Sequence, residues 1–203
     1  MRQAITVNFG NLVLSLSDAM DLASPLLTQH QQRTAYAVWQ MGIISSMSEK
    51  ELEQCFLAAL LHDIGALSLE EKINLRNYEV IEVESHCIIG ANFLKKYTWL
   101  ENAGEIVRFH HKEWQEWNDT IENPVIFASQ ILFLADFVER KISRDIHILN
   151  QSETILEELK KNSGTKFHPQ VVDLFITASD REEFWMDFDV PTTTAIVSQF
   201  PCS

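Results

Sequence analysis

Leu57-Ala58-Ala59-Leu60-Leu61-His62-Asp63-Ile64-Gly65-Ala66-Leu67-Ser68 is an apolar run that ends on a histidine and an aspartate. Ser48 and Glu51 precede it at capping-box spacing, which predicts a helix from Glu49 to Asp63 closed by Gly65 at a C-cap. An ionised aspartate in the last turn faces the negative end of the helix dipole, and the apolar run limits its access to water. Both effects disfavour the charge unless a cation lies nearby. Along the chain, five further residues have the chemistry to join the His62-Asp63 pair: His30, His86, His110, His111 and Asp136.

Outward from this stretch the patterns are helical. Ser24-Pro25 reads as an N-cap followed by proline at the first helical position, opening a helix to about Met41 with His30, Thr34, Val38 and Met41 on one face. A short helix is expected from Ser68 to Leu75. Another is expected from Glu79 to Tyr97, where Gly90, one turn after His86, would let a second backbone approach. Asn102 and Glu105 resemble a further capping box for a helix running to His110-His111. Pro124 opens VIFASQILFLADFVERKI, apolar almost all round and therefore central in the core. Later helices are expected over Ser152–Lys161, Pro169–Thr177 and Arg181–Met186, with extended structure only at residues 4–8 and 191–199. The expected architecture is all-α, one helical bundle over residues 1–190, with 191–203 a C-terminal tail or truncated linker.

With 203 residues, 46% of them apolar, the chain can bury a full core as one domain. A formal charge of −13 argues against a nonspecific nucleic-acid groove or an anionic membrane patch. It leaves room for a small phosphate ester, provided that bound metal supplies the local positive field. Cys55, Cys87 and Cys202 show no paired spacing, and MRQAITVNFGNLVL lacks a basic region followed by a cleavable apolar core, so a reducing, cytoplasmic location is expected. No apolar stretch approaches the ~18 residues of a membrane span. G-x-S-x-G, Walker A and G-x-G-x-x-G motifs are absent, as is any Cys-x-x-Cys pair.

Asp136 lies in the middle of the most apolar segment, where an unpaired carboxylate would cost several kcal/mol. Taken singly, it reads as a hydrogen-bonded core acid, and His30 or His86 as a satisfied core histidine. Taken together, five histidines and two aspartates fall on or near the ends of helices that must share one core. Imidazole and carboxylate suit borderline first-row metals, whereas calcium would want oxygen throughout. Seven such ligands exceed what one ion takes and suit two ions sharing one carboxylate. From the residues alone, a metal centre and a set of core polar groups both stay open.

The ordered set His30 … His62-Asp63 … Asp136 resembles the signature of the HD-domain phosphohydrolases. His86, with Gly90 four residues later, and the His110-His111 pair resemble the HD-GYP branch, bacterial phosphodiesterases acting on cyclic di-GMP. The resemblance runs from about His30 to Phe175 and takes in AALLHDIG, ILFLAD and FHPQVVDLF. It implies an all-helical fold in which His62, Asp63, Asp136 and His30 bind one ion, and Asp63 bridges to a second held by His86, His110 and His111. It further implies two divalent transition-metal ions, iron or manganese first and zinc or nickel as alternatives, activating a water for phosphoester hydrolysis. Some members take a third ion through a glutamate one turn before the first histidine; here that position is Leu26.

Two departures stand out. A lysine that often follows the HD-x-G stretch in the family is replaced by Ala66. The Gly-Tyr-Pro loop expected after the histidine pair is missing from HHKEWQEWNDTIENPVIFAS. The resemblance thus implies an intact metal site beside an altered substrate apparatus. The enzyme would hydrolyse a nucleotide-type phosphate ester, with cyclic dinucleotides in that class; the alternative is a metal-binding signalling or interaction module with little turnover, fused to or partnered by a regulatory domain. Arg33, Lys112 and Trp114 are the candidate substrate contacts, and Trp117 a further stacking candidate, each with a structural reading beside it. His147 and His168 are read as structural; Cys87 offers a soft ligand beside His86 but is assigned to the core, because adjacent helix positions point about 100° apart.

Overall fold

The reciprocal cap expected at Ser48 forms: the Glu51 amide donates to Ser48 Oγ, and Glu51 Oε2 accepts from the Ser48 amide at 2.7 Å. In this computed structural model, which describes residues 9–22, 27–68, 70, 84–191 and 193–198, the described residues form ten α-helices and no strand beyond an isolated bridge between Ser163 and Phe167. In chain order they are α1 (Phe9–Asp21), α2 (His30–Ile43), α3 (Glu49–Leu61), α4 (Glu84–Leu94), α5 (Glu101–Arg108), α6 (Pro124–Lys141), α7 (Ser152–Lys161), α8 (Pro169–Ala178), α9 (Glu182–Asp189) and α10 (Thr193–Val197).

The apolar segment after Pro124 is central, as its patterning requires. Pro124 occupies the first turn of α6, and the Asn123 side chain accepts from the Val125 amide at 3.0 Å, satisfying a donor that the helix leaves open. Ile131, Leu132, Leu134 and Ala135 are fully buried between α2, α3, α5 and α8. α2 lies against α3 and α6, and α4 against α5, so the helices carrying the candidate ligands share one core. Every helix among the described residues is too short or too polar to cross a membrane.

Several expected boundaries move. α2 begins at His30, because Gln29 adopts a left-handed conformation (φ 58°) that an L residue enters at a cost of about 1 kcal/mol. The Ser24-Pro25 cap, residues 4–8, and most of the expected Ser68–Leu75 helix lie outside the described residues, as does the start of the Glu79–Tyr97 helix. Asn102 sits inside α5, whose N-cap is Leu100, so the second capping box does not form. The extended reading of 191–199 also gives way: Thr193–Val197 is a short helix packed on α1, with Ile196 and Val197 buried. α3 ends at Leu61, leaving His62 and Asp63 in the turn that follows.

Candidate metal centre

Gly65 brings the His62-Asp63 turn onto α4. Its φ is not positive, so it does not act as the left-handed C-cap expected. A Cβ at Gly65 would stand 2.0 Å from the His86 carbonyl oxygen and 2.6 Å from the Gly90 nitrogen. The close backbone approach expected near Gly90 is therefore made by Gly65, and it seats Asp63 beside the first turn of α4.

Two donor groups result. His30 Nε2 lies 3.2 Å from His62 Nε2 and 3.4 Å from Asp63 Oδ2, and Asp136 Oδ1 lies 3.6 Å from both imidazole nitrogens. In the second group His86 Nε2 lies 3.4 Å from His110 Nε2. The His111 ring centre is 5.1 Å from that of His86 and 4.1 Å from that of His110. Asp63 joins the groups: Oδ2 faces His30 and His62, while Oδ1 lies 3.7 Å from His86 Nε2. The structure thus brings together all seven residues read from the sequence. Two nitrogens bound to one ion at about 2.1 Å stand roughly 3.0–3.4 Å apart between octahedral and tetrahedral angles. The observed spacings lie at or slightly above that range.

The ring orientations also suit ligation. His62 Nδ1 is 2.9 Å from the Ala59 carbonyl and His110 Nδ1 is 2.7 Å from the Val107 carbonyl. A carbonyl only accepts, so each Nδ1 carries the proton and each neutral ring presents its Nε2 lone pair to the centre. His30 Nδ1 donates to Glu139 Oε2 at 2.5 Å, an arrangement that orients a histidine ligand and raises its basicity. Lone pairs of His30 and His62 then converge at 3.2 Å on two carboxylates, an arrangement stable only around a proton or a cation. The donor set therefore fits divalent metal, which HD-domain phosphohydrolases bind.

The protein's own charges shape these groups in opposite ways. Burial opposes protonation of His30, but Glu139, Asp63 and Asp136 together hold its pKa well above the ordinary imidazole value. His62 is raised too, Asp63 and Asp136 outweighing burial. His110 is pushed down to about 3 by burial, reinforced by His86 and His62. His111 is driven well below its usual value by burial, His110 and Arg140. Burial works against ionisation of Asp63, yet His62, His30 and His86 keep it well below the carboxylate range. Asp136 is likewise held down against burial by Arg140 and His62.

Four contributors escaped the sequence reading. Glu139, fully buried, orients His30 and pairs with Arg144. Arg140 Nη2 pairs with Asp136 Oδ2 at 2.5 Å, leaving Oδ1 for the histidines. Both lie three or four residues from Asp136 on the same helix face, a spacing legible in ADFVER. Asp21, at the end of α1, accepts from the Gln31 amide at 3.3 Å, and burial raises its pKa to about 7. Cys87 is the fourth. Helix geometry assigns it to the core over a soft-ligand role, but its Sγ lies 3.6 Å from both His86 Nε2 and His110 Nδ1. Side chains one residue apart diverge at Cβ, but an imidazole is long enough to lean back over a short thiol.

The expected substrate contacts are held by packing. Arg33 is buried and donates through Nε and Nη2 to the Asp189 carbonyl, tying α2 to the end of α9. The Lys112 ammonium lies 4.3 Å from the Trp117 ring centre, and Trp114 meets His168 edge-on at 4.4 Å. The stretch after His111 is anchored by Trp114 N to Lys166 O and by Gln130 Nε2 to Lys112 O, both at 2.9 Å. These contacts favour the structural reading of Arg33, Lys112, Trp114 and Trp117. His168 and His147 are structural as expected, each accepting a backbone amide at a helix start.

The HD domain family model matches residues 27–141, and the chain belongs to that family. It is 26% identical over 188 residues to a 3'3'-cGAMP-specific phosphodiesterase 2 of Vibrio cholerae serotype O1, covering 87% of this chain and 35% of that protein. It is 24% identical over 161 residues to a cyclic di-GMP phosphodiesterase of Thermotoga maritima, covering 73% of this chain and 43% of that protein. The chain thus spans less than half the length of these curated relatives. A crystal structure of a V. cholerae cyclic GMP-AMP specific phosphodiesterase has the same fold, with a TM-score of 0.71 at 19% identity over 95% of this chain and 53% of that one.

Proposed function

We propose that this chain is a metal-dependent phosphodiesterase that hydrolyses a nucleotide-type phosphate ester at a binuclear centre, with cyclic dinucleotides as the substrate class. The observation that carries the proposal is the placement of Asp63, whose two oxygens face two separate groups of nitrogen donors. The names of the relatives supply the substrate class.

His30, His62, Asp63 and Asp136 would hold one ion, and Asp63, His86, His110 and His111 the other. Two such ions supply an acidified water and the positive field that a phosphoryl displacement needs. The resemblance favours iron or manganese, with zinc or nickel as alternatives. The chain's own groups keep that geometry: Ala59 and Val107 carbonyls fix the rings of His62 and His110, Glu139 fixes His30, and Arg140 turns Asp136. The net charge of −13 makes a nucleic-acid polymer or an anionic membrane a poor partner, and regulatory segments of a longer protein remain candidate partners.

A second reading, a metal-binding signalling module with little turnover, is favoured by Ala66 and the missing Gly-Tyr-Pro sequence. One experiment separates the two. Reductively and anaerobically purified chain should contain about two transition-metal ions and hydrolyse bis-aryl phosphates or members of a cyclic dinucleotide panel. Asp63→Ala should remove metal and lower turnover more than about 100-fold, since even outer partners of ligands are worth 10- to 100-fold in affinity. Two bound ions without turnover on any substrate would support the module; a chain that takes up no metal would defeat both readings.

A further inference from the structure

We propose that Cys87 is a direct sulfur ligand in the second half of the centre, making it a soft nitrogen–sulfur position that selects zinc or ferrous iron over manganese. The inference rests on the metal-centre reading and adds to it a residue outside the seven donors. His86, Cys87, His110 and His111 each offer a ligand atom within 4.8 Å of the others. Sulfur bound at about 2.3 Å and nitrogen at about 2.1 Å, at a tetrahedral angle, stand about 3.6 Å apart. Cys87 Sγ and His86 Nε2 are separated by 3.6 Å. His86 and His110 Nε2 atoms, at 3.4 Å, meet the corresponding nitrogen–nitrogen spacing.

Packing makes this placement durable. Cys87 is 2% exposed in the first turn of α4, and the Gly65 turn presses on the carbonyl of its neighbour His86. On uptake of an ion, the S–H proton passes to solvent and a sulfur–metal bond forms, with no change of oxidation state. Thiolate is a soft ligand and manganese favours oxygen donors, so selectivity follows from ligand chemistry.

The test uses the intact, reduced chain loaded anaerobically with cobalt(II). Wild-type protein should take up cobalt and show a near-ultraviolet sulfur-to-cobalt charge-transfer band. Cys87→Ser should retain cobalt in the first half and lose that band, whereas Cys55→Ala, at a core cysteine packed against α6, should keep it. Zinc affinity of the second half should fall about 10- to 100-fold or more in Cys87→Ser while manganese affinity changes little. X-ray absorption of the zinc-loaded wild type needs no variant and should show sulfur at about 2.3 Å. Two bound ions with no sulfur band or scattering would overturn the ligand role of Cys87 alone. Failure to bind any ion would overturn it together with the metal centre.

Discussion

The two halves of the centre are built from the same residue type and treat it in opposite ways. In the first, His30 and His62 sit among Asp63, Asp136 and Glu139, and their pKa values are raised. In the second, His110 and His111 sit among one another, His86 and Arg140, and their pKa values are lowered. The first half is anionic and braced from the central helix α6; the second is nitrogen- and sulfur-rich and sits at the start of α4 and just beyond the end of α5. Histidine by itself does not set the character of a metal position. Neighbouring charge does, and within one bundle it gives two groups of donors with opposite proton affinity.

The most drastic way to break the comparison is to separate the halves. Gly65→Ala places a methyl against the His86 backbone, which cannot yield as a flexible side chain would. It should lower stability by about 1–3 kcal/mol and cost the second ion while sparing the first. Thermal melting and metal counting would check this, and retention of both ions at wild-type stability would contradict the role given to Gly65. Glu139→Gln attacks the other half. It should weaken the first ion about 10- to 100-fold and leave the second nearly unchanged, as measured by competition with a chelator.

Acidity should sharpen the contrast. An ion entering the first half must displace protons that His30 and His62 hold at raised pKa, so its affinity should fall as pH drops through and below neutrality. With His110 pushed down to about 3 and His111 well below its usual value, their lone pairs stay available on acidification. In manganese-loaded Cys87→Ser chain, where no thiol proton competes with the ion, a titration from pH 8 to pH 5 should therefore release the first ion before the second; the reverse order would contradict the electrostatic difference between the halves.

A further expected effect, on stability and not on ion binding, lies behind His30 at Asp21. Its folded pKa of about 7 exceeds the ordinary aspartate value of 3.8, so folding favours the neutral carboxyl. The stability it contributes is complete below about pH 3.8 and lost as pH rises towards 7. Asp21→Asn keeps an acceptor for the Gln31 amide and removes the charge. Its stability relative to wild type should improve by about 2 kcal/mol between pH 5 and pH 8, read from denaturant unfolding. A pH-independent difference would place the carboxyl in a more solvated setting.

Much of this was legible in the chain itself. Local chemistry marks the start of α3 at Ser48 and Glu51 and of α6 at Pro124, because caps and proline act within a few residues, and the Ile155 and Leu159 spacing marks Ser152–Lys161. The seven donors were legible too as residue types, since imidazoles and carboxylates on or beside apolar helices need partners, and a shared cation is one partner that would serve them all. What failed depended on contacts between distant segments. The capping box at Asn102 lost to a helix start two residues earlier, and the 193–197 helix forms where it packs on α1.

Sequence by itself determined the helical bundle and the list of metal-capable side chains, because periodicity, caps and buried polarity are properties of neighbouring residues. Only the tertiary structure decided how that list divides into halves, that Gly65 serves close approach and not a C-cap, and that Glu139, Arg140 and Cys87 attend the ligands. Those outcomes turn on distances of a few ångströms between segments up to 109 residues apart, as His30 and Glu139 are, and such distances exist only once the core has closed.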